Sequence, residues 1–331
     1  ADAAVAISTI NSTATVKVGG SSSVTTDAAL ELSAKNTVEA TTVADITASQ
    51  PAAVGGTVAL TVLTTVTKAS IEDSATTQAA SLKVSAESKN TVVNTAKAAA
   101  KGATKQTEAE KLADGPSETE KALDDYKVEG STSGGSVEVA AAVAIVSLNS
   151  QTQASIGSSA LQNTTGLATV SSVASNASTV DADGSTVGDG ADVGIGAAFA
   201  LNIGALTNTA LIGDNAQVQA NGLTLQATVP AGESNTFATS SKSGAGAANV
   251  GVAGSLAINT LASTTTALIQ GDSDSSGTGA SVDAGTGDIL IEAGNASTST
   301  VTAGAEVQGT GDSAKVGVGA SIGVNVVANK T

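Results

Sequence analysis

A short motif, Ala-X-Ile or Ala-X-Val followed closely by Gly or an acidic residue, returns along this chain at a nearly constant distance. It reads Ala14-Thr15-Val16, Ala69-Ser70-Ile71-Glu72-Asp73, Ala154-Ser155-Ile156-Gly157, Ala210-Leu211-Ile212-Gly213-Asp214 and Ala267-Leu268-Ile269-Gln270-Gly271-Asp272. Successive motif alanines lie 55, 85, 56 and 57 residues apart, a period of 55–57 with one long interval. A fixed period of this size signals a repeat architecture, in which each unit buries its apolar face against the next. Repeats of about 1–52, 53–134, 135–190, 191–246 and 247–314 follow, with a partial sixth at 315–331.

Two further landmarks share the period. Leu30-Glu31-Leu32-Ser33-Ala34, Leu82-Lys83-Val84-Ser85-Ala86, Leu223-Thr224-Leu225-Gln226-Ala227 and Ile289-Leu290-Ile291-Glu292-Ala293 follow their motifs, with a poor match at Leu167-Ala168-Thr169-Val170. Ahead of the motifs lie alternating runs. In one, Val193, Ile195, Phe199, Leu201 and Ile203 alternate with Gly194, Gly196, Ala198, Ala200 and Asn202. Alternation with β-branched residues predicts strands. One face is aliphatic and the other is Gly, Ala and Ser, so these strands are expected to be covered on both sides, the small face admitting another layer of backbone. The uncharged stretch 193–213 is long enough to raise a membrane helix, but its glycines, Asn202 and Asn208 favour the strand.

The core must be thin. Of 331 residues, only Tyr126, Phe199 and Phe237 are aromatic. A β-sandwich needs a longer unit and an aromatic core, and a membrane β-barrel needs aromatic girdles. The expected fold is therefore all-β, a parallel β-solenoid (β-helix) built from 55–57-residue repeats. About three coils per repeat, or one wider coil with more strands, fit the landmarks equally.

The long interval carries a foreign, charged segment at 97–129. Pro116 and Ser117-Glu118-Thr119-Glu120 form a helix-start pattern, and Ala122, Leu123 and Tyr126 follow at helical spacing. A charged helical insertion is expected there, either as a solvated projection or as a contact site.

The cadence of Val-Gly-Val-Gly-Ala-Ser-Ile-Gly-Val-Asn-Val-Val-Ala-Asn-Lys-Thr (316–331), Ala-Leu-Ile-Gly-Asp (210–214) and Gly-Leu-Thr-Leu-Gln-Ala (222–227) resembles the repeats of very large bacterial surface proteins. These are adhesins of the filamentous-haemagglutinin-like and leukotoxin-type filamentous kinds. The resemblance covers nearly the whole chain except 97–129. It implies an exported β-helical stalk or fibre at the cell surface and brings no catalytic residues.

Absent residue types restrict the chemistry. The chain has no His, Cys, Met or Trp, and all 14 basic residues are Lys. No Ser-His-Asp triad, thiol nucleophile or zinc site can form. A net charge of −16 opposes nucleic acid and anionic membranes. A polysaccharide-cleaving site would use paired carboxylates but would want sugar platforms that three aromatics hardly supply. An enzyme is not expected. Asp181, Asp183, Asp189 and Asp192 crowd one acidic loop, the place for calcium if any cofactor is bound. Asp272 and Asp274 form a weaker acidic pair. Asn-X-Ser/Thr occurs at Asn11, Asn163, Asn176 and Asn295.

Two structural roles follow. In the first the chain is a stalk segment cut from a longer array. In the second it is a filament subunit that polymerises end to end through its β edges. The expected partners are neighbouring repeats or identical chains, with lateral fibre contacts; no nucleic acid and no transmembrane segment is expected.

Overall fold

The structure is a computed structural model; it describes residues 2–46, 54–100, 137–186, 193–247, 249–271, 279–309 and 316–331. Its first coil comprises β1 (Asp2–Val18), β2 (Ser23–Thr25) and β3 (Ala29–Asp45). The second holds β4 (Val54–Ile71), β5 (Thr76–Ala79) and β6 (Ser81–Ala100), and the third β7 (Val137–Ile156), β8 (Leu161–Thr164) and β9 (Ala168–Thr186). The fourth runs through β10 (Val193–Ile212), β11 (Gln217–Gln219), β12 (Leu223–Thr228) and β13 (Asn235–Ala247). The fifth runs through β14 (Val250–Ile269), β15 (Ser281–Asp283), β16 (Ile289–Ala293) and β17 (Ser297–Gly309), and β18 (Val316–Lys330) opens a sixth.

Every strand pairs in parallel with its counterpart one coil away, giving a β-solenoid with one wide coil per repeat. The six long strands β1-β4-β7-β10-β14-β18 make a front sheet. The short strands β2, β5, β8, β11 and β15 make a narrow side sheet, and the rest make a back sheet facing the front one. Among the described residues there is no helix, and so none long and apolar enough to cross a membrane.

Register explains the sequence period. Ala69, Ala154, Ala210 and Ala267 stack in one row, and Ile71, Ile156, Ile212 and Ile269 in the row two residues on. Ile71, Ile156 and Ile212 are fully buried, where the front, side and back sheets converge. Burying each contributes roughly 1.5–3 kcal/mol. The first motif is displaced: Val16, not Ala14, stands opposite Ala69. Leu167 is likewise one residue out, since Ala168 occupies the row of Leu82 and Leu223. In the fourth coil the back strand breaks between β12 and β13 around Pro230, which has no N–H for the ladder.

In the first half of β10 the small face looks inward, with Gly194, Gly196, Ala198, Ala200 and Asn202 buried; farther along the front strands Leu63, Leu148, Leu206 and Leu261 turn inward. A Cβ on Gly194 would lie 2.5 Å from the Gly246 carbonyl oxygen, and one on Gly196 would collide with the Gly244 carbonyl. Front and back backbones touch there, so only glycine fits. The close second layer is thus the back sheet of the same coil. The aliphatic face is not covered by a further sheet; Val5 and Ile7 on it are each 66% exposed.

The interior also holds polar rows. Asn202, Asn259 and Asn325 stack in neighbouring front strands. Asn202 Nδ2 donates to the Ser178 and Ala238 carbonyls at 3.2 and 3.3 Å, and Ser178 Oγ donates to Asn202 Oδ1 at 2.7 Å. A second row links Asn90, Asn176 and Asn235 on the back sheet. The Nδ2 groups of these buried amides donate across the core and tie the two sheets together. Asn176 and Asn295 belong to these networks, so their Asn-X-Ser/Thr motifs serve the interior.

Candidate functional site: two broad faces of unlike chemistry

The back sheet turns a charged face outward. Opposite charges stand side by side in several rows of the first two coils, where the register aligns them, while the outward residues of the later coils are mainly Thr, Ser and Gln. Lys83 Nζ lies 2.7 Å from Glu31, and Lys35 lies 2.8 Å from Glu87. Lys89 reaches Glu233, beside the Pro230 break, at 3.2 Å. Hydrogen bonds from Ser175 and Lys89 hold the Glu233 carboxyl below its usual range. Such exposed pairs add little stability, but they keep the face solvated.

The proposed calcium ligands fall partly on this face. Asp181 and Asp183 lie on β9 and point outward, in neighbouring rows. Asp183 stands in one row with Asp45, Lys97 and Lys242, flanked by a lysine on each side. Burial pushes the Asp181 carboxyl up, reinforced by the Asp183 charge and opposed by Lys242. Burial likewise raises Asp45, against the pull of Lys97. A pair of carboxylates already interleaved with ammonium groups is a poor cation trap. Asp189 and Asp192 lie outside the described residues, as do Asp272 and Asp274. Among the described residues no group of three or more carboxylates is close enough to hold a metal ion.

The charged insertion is placed only in its first part. Lys97 to Ala100 continue β6 as strand rather than helix, because Lys97 is needed opposite Asp183 in the charged row. The remainder of 97–129 lies outside the described residues. The aromatics do not gather over carboxylates. Phe237 is fully buried in the core, Phe199 sits on the front face, and Tyr126 is outside the described residues.

The front sheet turns the other face outward. Over the first half of each strand its outward residues carry no charge. One row reads Val5, Val58, Val143, Phe199, Leu256 and Ile322; the next reads Ile7, Leu60, Ile145, Leu201, Ile258 and Val324. Two residues before the first of these rows runs a furrow of Ala3, Gly56, Ala141, Ala197, Gly254 and Ala320. Beyond the furrow Val54, Val139, Ile195, Val252 and Val318 form another aliphatic ridge. Toward the strand ends the face becomes polar, with Asn149, Gln151, Thr207 and Lys68. The alternation was legible in the sequence, but which face looks outward was not.

Shallow surface pockets lie at the turn near Glu72 and Asp73 and beside Glu233, without convergent catalytic groups. No family model, curated protein or solved structure matches the chain.

Proposed function

We propose that this chain is a structural, non-catalytic segment of a rigid extracellular fibre or stalk on a bacterial surface adhesin. The carrying observation is the unbroken register of the Ala69–Ala154–Ala210–Ala267 and Ile71–Ile156–Ile212–Ile269 rows. Stacked coils that contact only their neighbours make a stiff, extendable rod whose work is mechanical. The adhesin assignment rests on the resemblance of the repeats. An acidic, cysteine-free composition accords with export.

Single-molecule pulling tests the mechanical reading. The expected record is a series of like-sized extensions, each releasing about one coil of chain. Loss of the whole fold in one low-force event overturns it. Deleting this segment from its parent protein should shorten the surface projection and leave binding by the remaining parts intact.

The filament reading is favoured by a different observation. The back-sheet rows of Leu223 and Leu225 continue in register into Ile289 and Ile291, so a further coil of the same kind can extend the stack. Sizing the purified chain separates the two readings. Open-ended polymers that disappear in Ile291→Glu support the filament, and their absence supports the stalk.

A further inference from the structure

We propose that the uncharged half of the front face is a pairing surface for a second copy of this chain, packed face to face. The inference does not depend on the fibre being a stalk or a filament.

Extent is the first argument. The patch runs from the row of Val193, present on four strands, to the row of Ile203, and six strands share it from the Ala3 row onward. At a rise of about 3.3 Å per residue and a strand spacing of about 4.8 Å, it covers roughly 900 Å² in projection. A stable pair needs about 800 Å² from each partner. Patches of this size on a soluble surface mark contact sites.

Relief is the second argument. The Ala and Gly furrow lies between two continuous aliphatic ridges. Turned about a two-fold axis, the same surface offers a ridge to the partner's furrow, as an isologous interface requires. Inner faces of packed sheets meet in this manner.

Charge is the third. The chain carries −16 in total, yet no charged side chain stands on the patch. The charged rows of the back sheet point away from it. Two copies can therefore close on their front faces with their back-sheet charge kept outermost. A lipid surface fits less well, because the described patch has no Trp or Tyr to sit among headgroups.

Sedimentation equilibrium of the full chain tests the proposal, alongside hydroxyl-radical labelling of Phe199 and Leu201 at rising concentration. The expected mass saturates at two chains, and labelling of both residues falls as the pair forms. Leu201→Glu should weaken pairing ~100-fold, as loss of a central apolar anchor does, with melting and circular dichroism unchanged. Thr207→Glu, on the same strand beyond the patch, should leave pairing intact. A single-chain mass at all concentrations overturns the proposal. So do open polymers indifferent to Leu201→Glu, which would place association at the ends. Binding of phosphatidylcholine vesicles by a chain that stays monomeric would assign the face to lipid. Pairing that appears only after removal of residues 101–136 would assign it to that segment.

Discussion

The ring of Phe237, on the back sheet, fills the space that any side chain on Gly204 of the front sheet would need. The rest of Gly204's row is aliphatic, with Leu63, Leu148 and Leu261 among its members. Across the core, Ser178 and Ser299 flank Phe237 in its own row. The third and fifth coils thus combine Leu with Ser, and the fourth combines Gly with Phe at the same level. Gly204→Ala should cost about 1–3 kcal/mol by overpacking, and Phe237→Ala about 3–5 kcal/mol through the cavity left. Gly204→Leu with Phe237→Ser should recover most of the loss, since it restores the neighbouring coils' solution. Chemical unfolding of the parent, Gly204→Leu, Phe237→Ser and their double variant measures the coupling, and additive losses would refute it.

The asparagine row should behave as structure and not as surface. Asn259 Nδ2 donates to the Phe237 carbonyl at 3.1 Å and to Ser299 Oγ at 2.6 Å, and Ser299 passes a bond on to Asn325. Asn259→Ala orphans the Phe237 carbonyl and should lower unfolding stability by about 1–3 kcal/mol. Asn149→Ala, outward and exposed on β7, should stay within about 0.5 kcal/mol of the parent.

In the first four coils the turn from front to side sheet passes through a left-handed residue, Ser21, Ser74, Ser159 or Asn215. Ser159 has φ 56°, where a Cβ costs roughly 1–2 kcal/mol. Ser159→Gly should raise the melting temperature and Ser159→Val should lower it. Thermal scans of the two variants give the sign directly.

Acid and base limbs of the stability curve should separate two carboxylates. Asp181 has its carboxyl raised by burial, so the fold favours its neutral form. Its favourable contribution is present at low pH and is lost as pH rises past the ordinary carboxylate range. Asp181→Asn should therefore melt higher than the parent at pH 7, with the gap closing toward pH 3. Glu72 is the opposite case: a hydrogen bond from Lys17 at 3.0 Å lowers its pKa. Glu72→Gln should melt lower than the parent at pH 7 and converge with it in acid.

Calcium should leave the melting temperature unchanged when Asp183 is set between Lys97 and Lys242. Calorimetry with added calcium checks this. A heat that vanishes in Asp189→Ala and Asp192→Ala would instead assign binding to those residues.

Several levels of the fold were readable in the residues, each for a physical reason. The Ala and Ile rows announced the period because the converging three-sheet corner repeats those sizes from the second coil to the fifth. Ala14 misled because in the first coil Val16 takes the alanine's place, so the same tripeptide occurs two residues out of register. Which face looks inward was not legible, because size alone would send Phe199 and Leu201 inward. The deciding residues were remote in sequence: Gly184 and Gly244 bring the back sheet too close to admit them. The asparagine row had a signal, since Asn202, Asn259 and Asn325 occupy the same step of successive alternating runs.

The corner from back to front sheet has consequences for how such a chain can change. The connections there run from two residues (248–249) to thirty-six (101–136). The turns from front to side sheet hold four residues in each of the first four coils. A coil closes its circuit whatever the length of that one connection, because registration is enforced elsewhere. The corner is thus a row of docking ports, about 4.8 Å apart along the rod, into which foreign sequence can be spliced without resetting the stack. Variation in such a molecule would gather chiefly along this seam, with the longer 270–280 connection of the fifth coil as a second place for it.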